Sequence, residues 1–297
     1  MPSEKIPTVA YTDLSRFADL SRTRKHTGYH IVESAATVHS IGMHFPYRSS
    51  YYAVGLCLRG EATLMANLQS YQLQPGALLM ISPEVIRQWD YISPDHLNIG
   101  ILFEKEYALM DGVISNFIGD FAFFRSGALH FSLLAPSRAE RLKYCLEHIK
   151  ESAAMDCAYR DEVIRHLIHA FLYTAAGFHE ESVHSTHRRN SRQEVFFTEF
   201  QYLVHQHFKT ERKILFYATK LHVTSKHLSE TIKAVSGKTA RQWINETVVL
   251  EAKVLLQNLQ LTVGQIAESL NYPDQSSFGK FFKGQTGQSP SAFRQAI

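Results

Sequence analysis

The N-terminal part of the chain shows the period of β-strands. From residue 30 to about residue 104, apolar and polar side chains alternate, and Leu56 and Leu58 share one face of such a run. Pro75-Gly76 marks a turn between two of these runs. Short strands separated by regular turn signals predict a β-sandwich or a β-barrel.

After Pro136 the apolar period becomes helical. Apolar residues recur at the spacing i, i+3, i+4, i+7 in two runs, over Leu142–Ile149 and over Val163–Ala175. These runs predict two amphipathic helices within residues 137–182. Their apolar stripes could join two copies of the chain or pack on the β domain, and the pattern allows both. The polar, basic and aperiodic stretch 184–193 predicts a linker between domains.

The last third of the chain contains an internal repeat, whose matching positions are 49 or 50 residues apart. The pairs are Ala218 with Ala267, Leu221 with Leu270, Val223 with Tyr272, Leu228 with Phe278, Ile232 with Phe282, Gly237 with Gly287, Thr239 with Ser289 and Trp243 with Phe293. Such a repeat indicates one supersecondary unit that is used twice. Each copy predicts a short helix, a break and a second helix, which together form a helix-turn-helix.

The second helix of each copy combines an apolar inner face with a polar outer face. We expect Phe278 and Phe282 to be buried core residues. Asp274 is expected to cap the N-terminus of that helix and Gly287 to end it. Short polar side chains and lysines on the outer face suit the base edges and phosphates of DNA.

A predicted helix over residues 240–258 joins the two copies. Its 19 residues would span about 28 Å. One turn of B-DNA, which separates successive major-groove segments on one face, is about 34 Å long. One chain could therefore place both copies in adjacent major grooves.

The distribution of charge is consistent with a polyanionic partner. Residues 192–297 hold 13 Lys and Arg against 8 Asp and Glu, a net charge of +5, whereas residues 1–191 hold 18 against 20, a net charge of −2. The chain has no apolar run long enough for a membrane span and no secretory signal pattern. Its three cysteines, Cys57, Cys145 and Cys157, lack the spacing of a metal or disulfide site. These features predict a cytoplasmic protein that does not contact a membrane.

The stretch from Tyr272 to Arg294 resembles the C-terminal signature of the AraC/XylS family of bacterial transcription regulators. Residues Ile214–Gly237 are similar to the region of that family's first recognition helix, and Glu251–Leu256 is typical of its joining helix. The resemblance implies a cupin-like sensor domain and dimerising helices before the DNA-binding module.

The same resemblance implies which side chains contact DNA. They are Lys226, Ser229 and Glu230 in the first recognition helix, Ser276 and Lys280 in the second, and Gln275, Ser277 and Lys283 near the DNA backbone. Glu230 stands where the family commonly has a basic residue. Its carboxylate would repel phosphate and could accept a hydrogen bond only from cytosine N4. We therefore expect the first recognition helix to bind more weakly, or with a different specificity, than the second.

The 16 histidines of the chain raise the possibility of a metal site, and His39 and His44 lie near the predicted barrel. However, no His-x-His pair is present, and Arg87 lies where a late ligand of a cupin site would be expected. No catalytic triad can be assembled from the sequence either. We therefore expect no metal, no cofactor and no enzymatic activity.

Arg59, Trp89 and Tyr91 are candidates for an effector pocket in the β domain, although each could equally be an ordinary packing or surface residue. Two other functions stay open. One is a regulator that a protein partner controls, and the other is a metal-dependent cupin enzyme fused to a DNA-binding module.

Taken together, the patterns predict an α+β multidomain fold, with an N-terminal cupin-like β-barrel, a helical hairpin and an all-α tandem helix-turn-helix module. The predicted boundaries are 1–135 for the sensor, 136–183 for the dimerisation helices, 184–193 for the linker and 194–297 for the DNA-binding domain. The predicted function is sequence-specific regulation of transcription in response to a small-molecule effector. The expected partners are double-stranded DNA, RNA polymerase and a second copy of the chain.

Overall fold

A computed structural model describes residues 8–9, 28–33, 45–108, 121–124, 130–187 and 191–296. The chain divides into two compact units. We call Val9–Phe45 with Ser49–Arg189 the N-terminal unit, and Asn190–Ile297 with Met1–Thr8 and Pro46–Arg48 the C-terminal unit.

The described strands are short and follow one another closely along the chain. They are β1 (Thr8–Val9), β2 (Tyr29–Glu33), β3 (Arg48–Ser49), β4 (Tyr52–Arg59), β5 (Ala62–Ala66), β6 (Gln69–Leu73), β7 (Ala77–Ile81), β8 (Arg87–Ile92), β9 (Leu97–Phe103) and β10 (Phe131–Leu133). The N-terminal unit holds a five-stranded antiparallel sheet of order β10-β7-β4-β9-β2 and a three-stranded antiparallel sheet of order β6-β5-β8.

Neither of these two sheets closes on itself within the described residues. The predicted strands are therefore present, but the described part of the unit shows two open sheets, and closure into the predicted cupin-like barrel is not confirmed. The physical reason is that alternation specifies which face of a strand is buried, whereas closure depends on the strand tilt and on the stagger between neighbouring strands.

The helical hairpin consists of α2 (Pro136–Ala154) and α3 (Arg160–His187), which follow the short helix α1 (Lys105–Ala108) and a 3-10 turn at Ala122–Phe124. The apolar stripes of α2 and α3 share one hydrophobic core with the five-stranded sheet. Leu146 and Ile168, for example, are fully buried in that core together with residues of β4 and β9. The apolar stripes therefore pack on the β domain, which is one of the two alternatives that the pattern leaves open.

The polar stretch predicted as a linker is partly helical. Residues 184–187 continue α3, and residues 192–193 already belong to the next helix, while residues 188–190 lie outside the described part. A capping box begins that helix, since the amide of Glu194 donates to Ser191 Oγ (3.3 Å) and the amide of Ser191 donates to Glu194 Oε2 (2.7 Å).

In the C-terminal unit, the described residues from 191 onward are helical apart from short connections. The helices are α4 (Arg192–His207), α5 (Ile214–Lys220), α6 (Ser225–Ser236), α7 (Ala240–Leu256), α8 (Val263–Ser269), α9 (Gln275–Thr286) and α10 (Pro290–Gln295). Helix α7 contacts α4 and α6 on one side of the repeat and α8, α9 and α10 on the other. It is therefore the shared core element of both copies.

Candidate nucleic-acid interface

The two copies of the repeat fold into closely matching helix-turn-helix units, α5–α6 and α8–α9. In the first, the amide of Val223 donates to the carbonyl of Ala218 (2.9 Å), and in the second the amide of Tyr272 donates to that of Ala267 (2.8 Å). The residue before each donor, His222 or Asn271, has a left-handed φ of 56° or 55°. The repeat that the sequence predicts is thus present down to the hydrogen bond that closes each turn.

Both recognition helices, α6 and α9, are capped in the same way. Thr224 accepts from the amide of His227 (3.1 Å), and Asp274 accepts from the amide of Ser277 (2.7 Å). The amide and hydroxyl of Ser277 hold the pKa of the Asp274 carboxyl below its usual range. At the other end, Gly287 has a φ of 82° and ends α9. The predicted roles of Asp274 and Gly287 are therefore confirmed.

Two glycines of the second copy allow a matched test of this cap. Gly287→Ala should lower the free energy of unfolding by about 1 kcal/mol, because a Cβ is disfavoured at its left-handed φ of 82°. Gly284→Ala should raise it by about 0.5–1 kcal/mol, because Gly284 lies within α9 and a Cβ there would meet no atom within 4 Å. Urea unfolding measures both changes, and equal signs for the two variants would contradict the assignment of the cap.

The inner faces of both recognition helices are buried. Leu228 and Ile232 in α6, and Phe278 and Phe282 in α9, have no exposed surface. The ring centroids of Phe282 and Phe293 lie 5.7 Å apart in an edge-to-face contact. The predicted core role of the aromatic stripe is confirmed, and its buried rings are not a platform for stacking bases.

The outer face of α6 presents the three residues that the family resemblance implies. The side chains of Lys226 and Glu230 are 84% and 66% exposed, and Lys226 Nζ lies 3.9 Å from Glu230 Oε1. The hydroxyl of Ser229 donates to the carbonyl of Ser225 (2.8 Å), so that its lone pairs remain to accept from a base. On this face Glu230 offsets the charge of Lys226, and the exposed Lys233, one turn further along α6, is the remaining cation.

The outer face of α9 is more basic. Gln275, Ser276, Lys280 and Lys283 are exposed. Ser277 is half-buried, and its hydroxyl donates to Asp274 Oδ2 (3.1 Å) in addition to the amide contact described above. Ser277 therefore serves the helix cap, whereas the other four side chains are available to a ligand. Lys280 occupies the place in the second copy that Glu230 holds in the first, 50 positions earlier.

The joining helix α7 carries a buried acid that the sequence pattern did not single out. Helix α7 has 17 residues, about 26 Å in length. Glu251 on it is fully buried and pairs with Lys209 Nζ (2.9 Å) and Arg48 Nη2 (2.6 Å). Burial alone would raise the pKa of this carboxyl, but Arg48 and Lys209 outweigh burial and hold the pKa below its usual value. A signal was present, because Glu251 continues the apolar stripe of Val248 and Leu255.

The three effector candidates lie on or beside the two sheets of the N-terminal unit. The exposed Arg59 donates through Nε to the carbonyl of Asp95 (3.1 Å). Trp89 packs against the core of the three-stranded sheet, with its ring centroid 6.5 Å from that of His96. Tyr91 is half-exposed. Their role in binding an effector stays a prediction.

The metal candidates His39 and His44 lie outside the described residues. Across the described ranges, no group of three or more His, Cys, Asp or Glu side chains is arranged to hold a metal ion. In the same ranges, no helix is both long and apolar enough to cross a membrane.

Comparison with known proteins agrees with this geometry. A family model described as a helix-turn-helix domain matches residues 217–296. The Msm operon regulatory protein of Streptococcus mutans is 24% identical over 108 residues, which are 36% of this chain and 39% of that protein. The chain thus spans well under half of the length of this relative. The arabinose operon regulatory protein of Salmonella typhimurium is 22% identical over 256 residues, which cover 82% of this chain and 83% of that protein.

Among solved structures, the C-terminal domain of AraT from Geobacillus stearothermophilus is 26% identical, covers 36% of this chain and 89% of its own, and has a TM-score of 0.34. The match of the helix-turn-helix model and the two related regulatory proteins confirm the family resemblance of Tyr272–Arg294, and the C-terminus of the chain is a helix-turn-helix domain of the AraC type.

Proposed function

We propose that the chain is a sequence-specific regulator of transcription whose helices α6 and α9 enter two successive major grooves of one DNA duplex. The observation that carries the proposal is the duplication. Two helix-turn-helix units with matching turns and caps present polar outer faces, and the single helix α7 joins them. The length of α7, about 26 Å, suits two recognition helices that lie about one turn of B-DNA apart.

The proposed contacts follow from exposure and charge. Ser276 and Lys280 would reach base edges from α9, and Gln275 and Lys283 would hold the flanking phosphates. On α6, the contacts to the other short stretch of bases, which we call a block, would come from Lys226, Ser229 and Glu230. Because Glu230 lies within ion-pair distance of Lys226, this block would be bound with less help from phosphate attraction and with a preference for cytosine.

The N-terminal unit is proposed to be a cupin-like sensor of a small molecule, and Arg59, Trp89 and Tyr91 are its candidate ligand contacts. The match to the arabinose operon regulatory protein supports a shared architecture, because it extends over 82% of the chain and so beyond the DNA-binding helices. Thermal-shift screening of metabolites tests this proposal. A protein partner in place of a metabolite, with RNA polymerase contacting the DNA-bound chain, is the alternative.

Dimerisation through residues 136–183 is a further part of the proposal. The buried stripes of α2 and α3 pack on the sheet, so a second copy would use their outward faces. Tyr144 on α2 and Tyr159 in the turn before α3 are 71% and 74% exposed, so both would be available to a second copy. Sedimentation equilibrium of the full chain measures this directly, and a monomer at micromolar concentration would exclude it.

Selection from a random-sequence duplex library at near-physiological salt tests the DNA-binding function. The expected result is a motif of two short blocks whose centres are about 10 base pairs apart, one block for each recognition helix. Recovery of duplexes without a shared motif, with or without the ligand found by screening, would contradict sequence-specific recognition.

Lys280→Ala should weaken binding to the selected DNA by about 1–3 kcal/mol while leaving random DNA nearly unchanged, because Lys280 is proposed to contact a base. Titration at several salt concentrations gives the measurement. If Lys280 contacts only phosphate, both DNAs should be bound more weakly and the salt slope should fall by about 1. Lys105→Ala, which removes an equal charge from an exposed position of α1 in the N-terminal unit, is the control. Unchanged binding of both DNAs by Lys280→Ala would remove Lys280 from the interface.

A further inference from the structure

Arg212 forms a direct contact between the two helix-turn-helix units, and this contact does not involve α7. It lies two residues before α5, the first helix of the first unit. Its guanidinium carbon is 3.9 Å from the ring centroid of Tyr272, in the turn between α8 and α9 of the second unit. Arg212 Nη2 also donates to the carbonyl of Leu270, the residue that ends α8. The half-buried side chain of Arg212 therefore contacts both the C-terminal end of α8 and the turn that orients the recognition helix α9.

The chemistry of this contact is suited to a rigid connection. A guanidinium stacks face to face on an aromatic ring, and the attraction grows as water is removed. Burial lowers the pKa of Arg212 and raises that of Tyr272 to about 12, so at neutral pH the pair is a cation on a neutral ring. The positive charge also faces the carbonyl end of α8, where a helix favours a cation.

The repeat itself shows that this contact is not needed to build a helix-turn-helix. The positions equivalent to Arg212 and Tyr272 in the other copies of the repeat are Leu261 and Val223, 49 residues away in each case. Neither can form a cation–π pair. The hydroxyl of Tyr272 is buried and, among the described residues, has no hydrogen-bond partner. The ring, rather than the hydroxyl, is therefore the part of Tyr272 that serves this contact.

From this geometry we infer that Arg212 is a positioning residue, which fixes the angle between α6 and α9 and so sets the spacing of the two DNA blocks that the chain accepts. This inference rests on the proposed two-block function. Once one recognition helix is bound to DNA, the second binds its own block at an effective concentration that depends on how rigidly the two helices are joined. Loosening the joint should therefore weaken two-block DNA and leave a single block untouched.

The first test uses the selected two-block duplex, the same duplex with one block scrambled, and duplexes with one base pair added or removed between the blocks. Arg212→Ala should weaken the two-block duplex by about tenfold, leave the one-block duplex unchanged and reduce the penalty for altered spacing. Lys213→Ala removes the same charge from the exposed neighbouring residue and should leave the spacing dependence as it is. Tyr272→Leu should reproduce the effect of Arg212→Ala, whereas Tyr272→Phe keeps the ring and should behave as the unaltered chain.

The second test needs no DNA. Spin labels are attached to the full chain at Ala234→Cys in α6 and Gln285→Cys in α9, with Cys145→Ser and Cys157→Ser. Cys57 can stay, because it is buried and burial raises its pKa to about 11, which leaves it an unreactive thiol. The distribution of label distances should be narrow in the parent and broad after Arg212→Ala.

The outcomes of the two tests separate the inference from the proposed function. An unchanged distance distribution in Arg212→Ala, or an equal loss of affinity for one-block and two-block DNA, overturns the positioning role. If the parent chain binds two-block DNA no better than one-block DNA, the two-block function fails. In that case the distance measurement alone still decides whether Arg212 fixes the angle between the readers.

Discussion

Glu251→Gln should lower the free energy of unfolding of the C-terminal unit by about 3 kcal/mol, although the substitution keeps the size and shape of the side chain. The carboxylate is fully buried between Arg48 and Lys209. Its loss leaves two cations facing a neutral amide whose own N–H groups cannot accept from them. Removing one partner of a buried ion pair typically costs about 3–5 kcal/mol, and the lower end applies because Lys209 is 39% exposed and can turn to water.

The measurement is urea unfolding followed by the fluorescence of Trp243. The chain has two tryptophans, so Trp89→Phe makes Trp243 the sole reporter and confines the signal to the C-terminal unit. Glu268→Gln, which removes an exposed carboxylate from α8, is the control and should change stability by less than about 0.5 kcal/mol. Equal effects of Glu251→Gln and Glu268→Gln would show that the buried ion cluster contributes nothing to stability.

The same substitution predicts a pH dependence with a definite sign. In the folded chain the pKa of Glu251 lies below its usual value, so its stabilising contribution is complete above the pKa of an unfolded carboxyl. That contribution is lost as the pH falls through the folded value. The stability difference between the parent and Glu251→Gln should therefore be constant above about pH 5 and shrink in more acidic solution. A difference that grew towards acidic pH would contradict the assigned direction.

The candidate interface could be predicted from the sequence to an unusual depth because its signals are local and occur twice. Ala218 and Ala267 are equivalent positions of the repeat, and each marks the turn of its own unit. The caps at Asp274 and Gly287 follow from backbone chemistry within a few residues. The base-facing residues, by contrast, entered through the family resemblance, and the structure adds that four of them are exposed and that Ser229 is half-buried.

What the sequence could not supply are the pairings between distant segments. Alternation predicted the strands, but the order β10-β7-β4-β9-β2 places no two consecutive strands side by side, and no local signal encodes that order. Arg212 and Tyr272 are 60 positions apart, and neither belongs to a periodic pattern that points to the other. Glu251 was visible as an acid in an apolar stripe, yet its partner Arg48 lies 203 positions away. Local rules predicted each helix-turn-helix unit, whereas the contacts between the two units join residues that are distant in sequence and are apparent only in the folded chain.

Phe282→Ala should remove about 3–5 kcal/mol from the stability of the second helix-turn-helix unit. Phe282 is fully buried, and its ring packs between those of Phe278 (5.8 Å between centroids) and Phe293 (5.7 Å). Truncation leaves a cavity that these two rings cannot fill. The loss is measured by urea unfolding, with Phe282→Leu as a milder step and Gln285→Ala, an exposed change on the same helix, as the control.

The equivalent residue in the first unit, Ile232, turns this stability prediction into a test of function. In footprinting on two-block DNA at rising temperature, Phe282→Ala should lose protection of the block read by α9 first, and Ile232→Ala the other block first. Both units share α7, however, so part of each loss should reach the other unit through that helix. Loss of both blocks together in both variants would show that the two readers fold as one cooperative body, in which case neither reader can be weakened without the other.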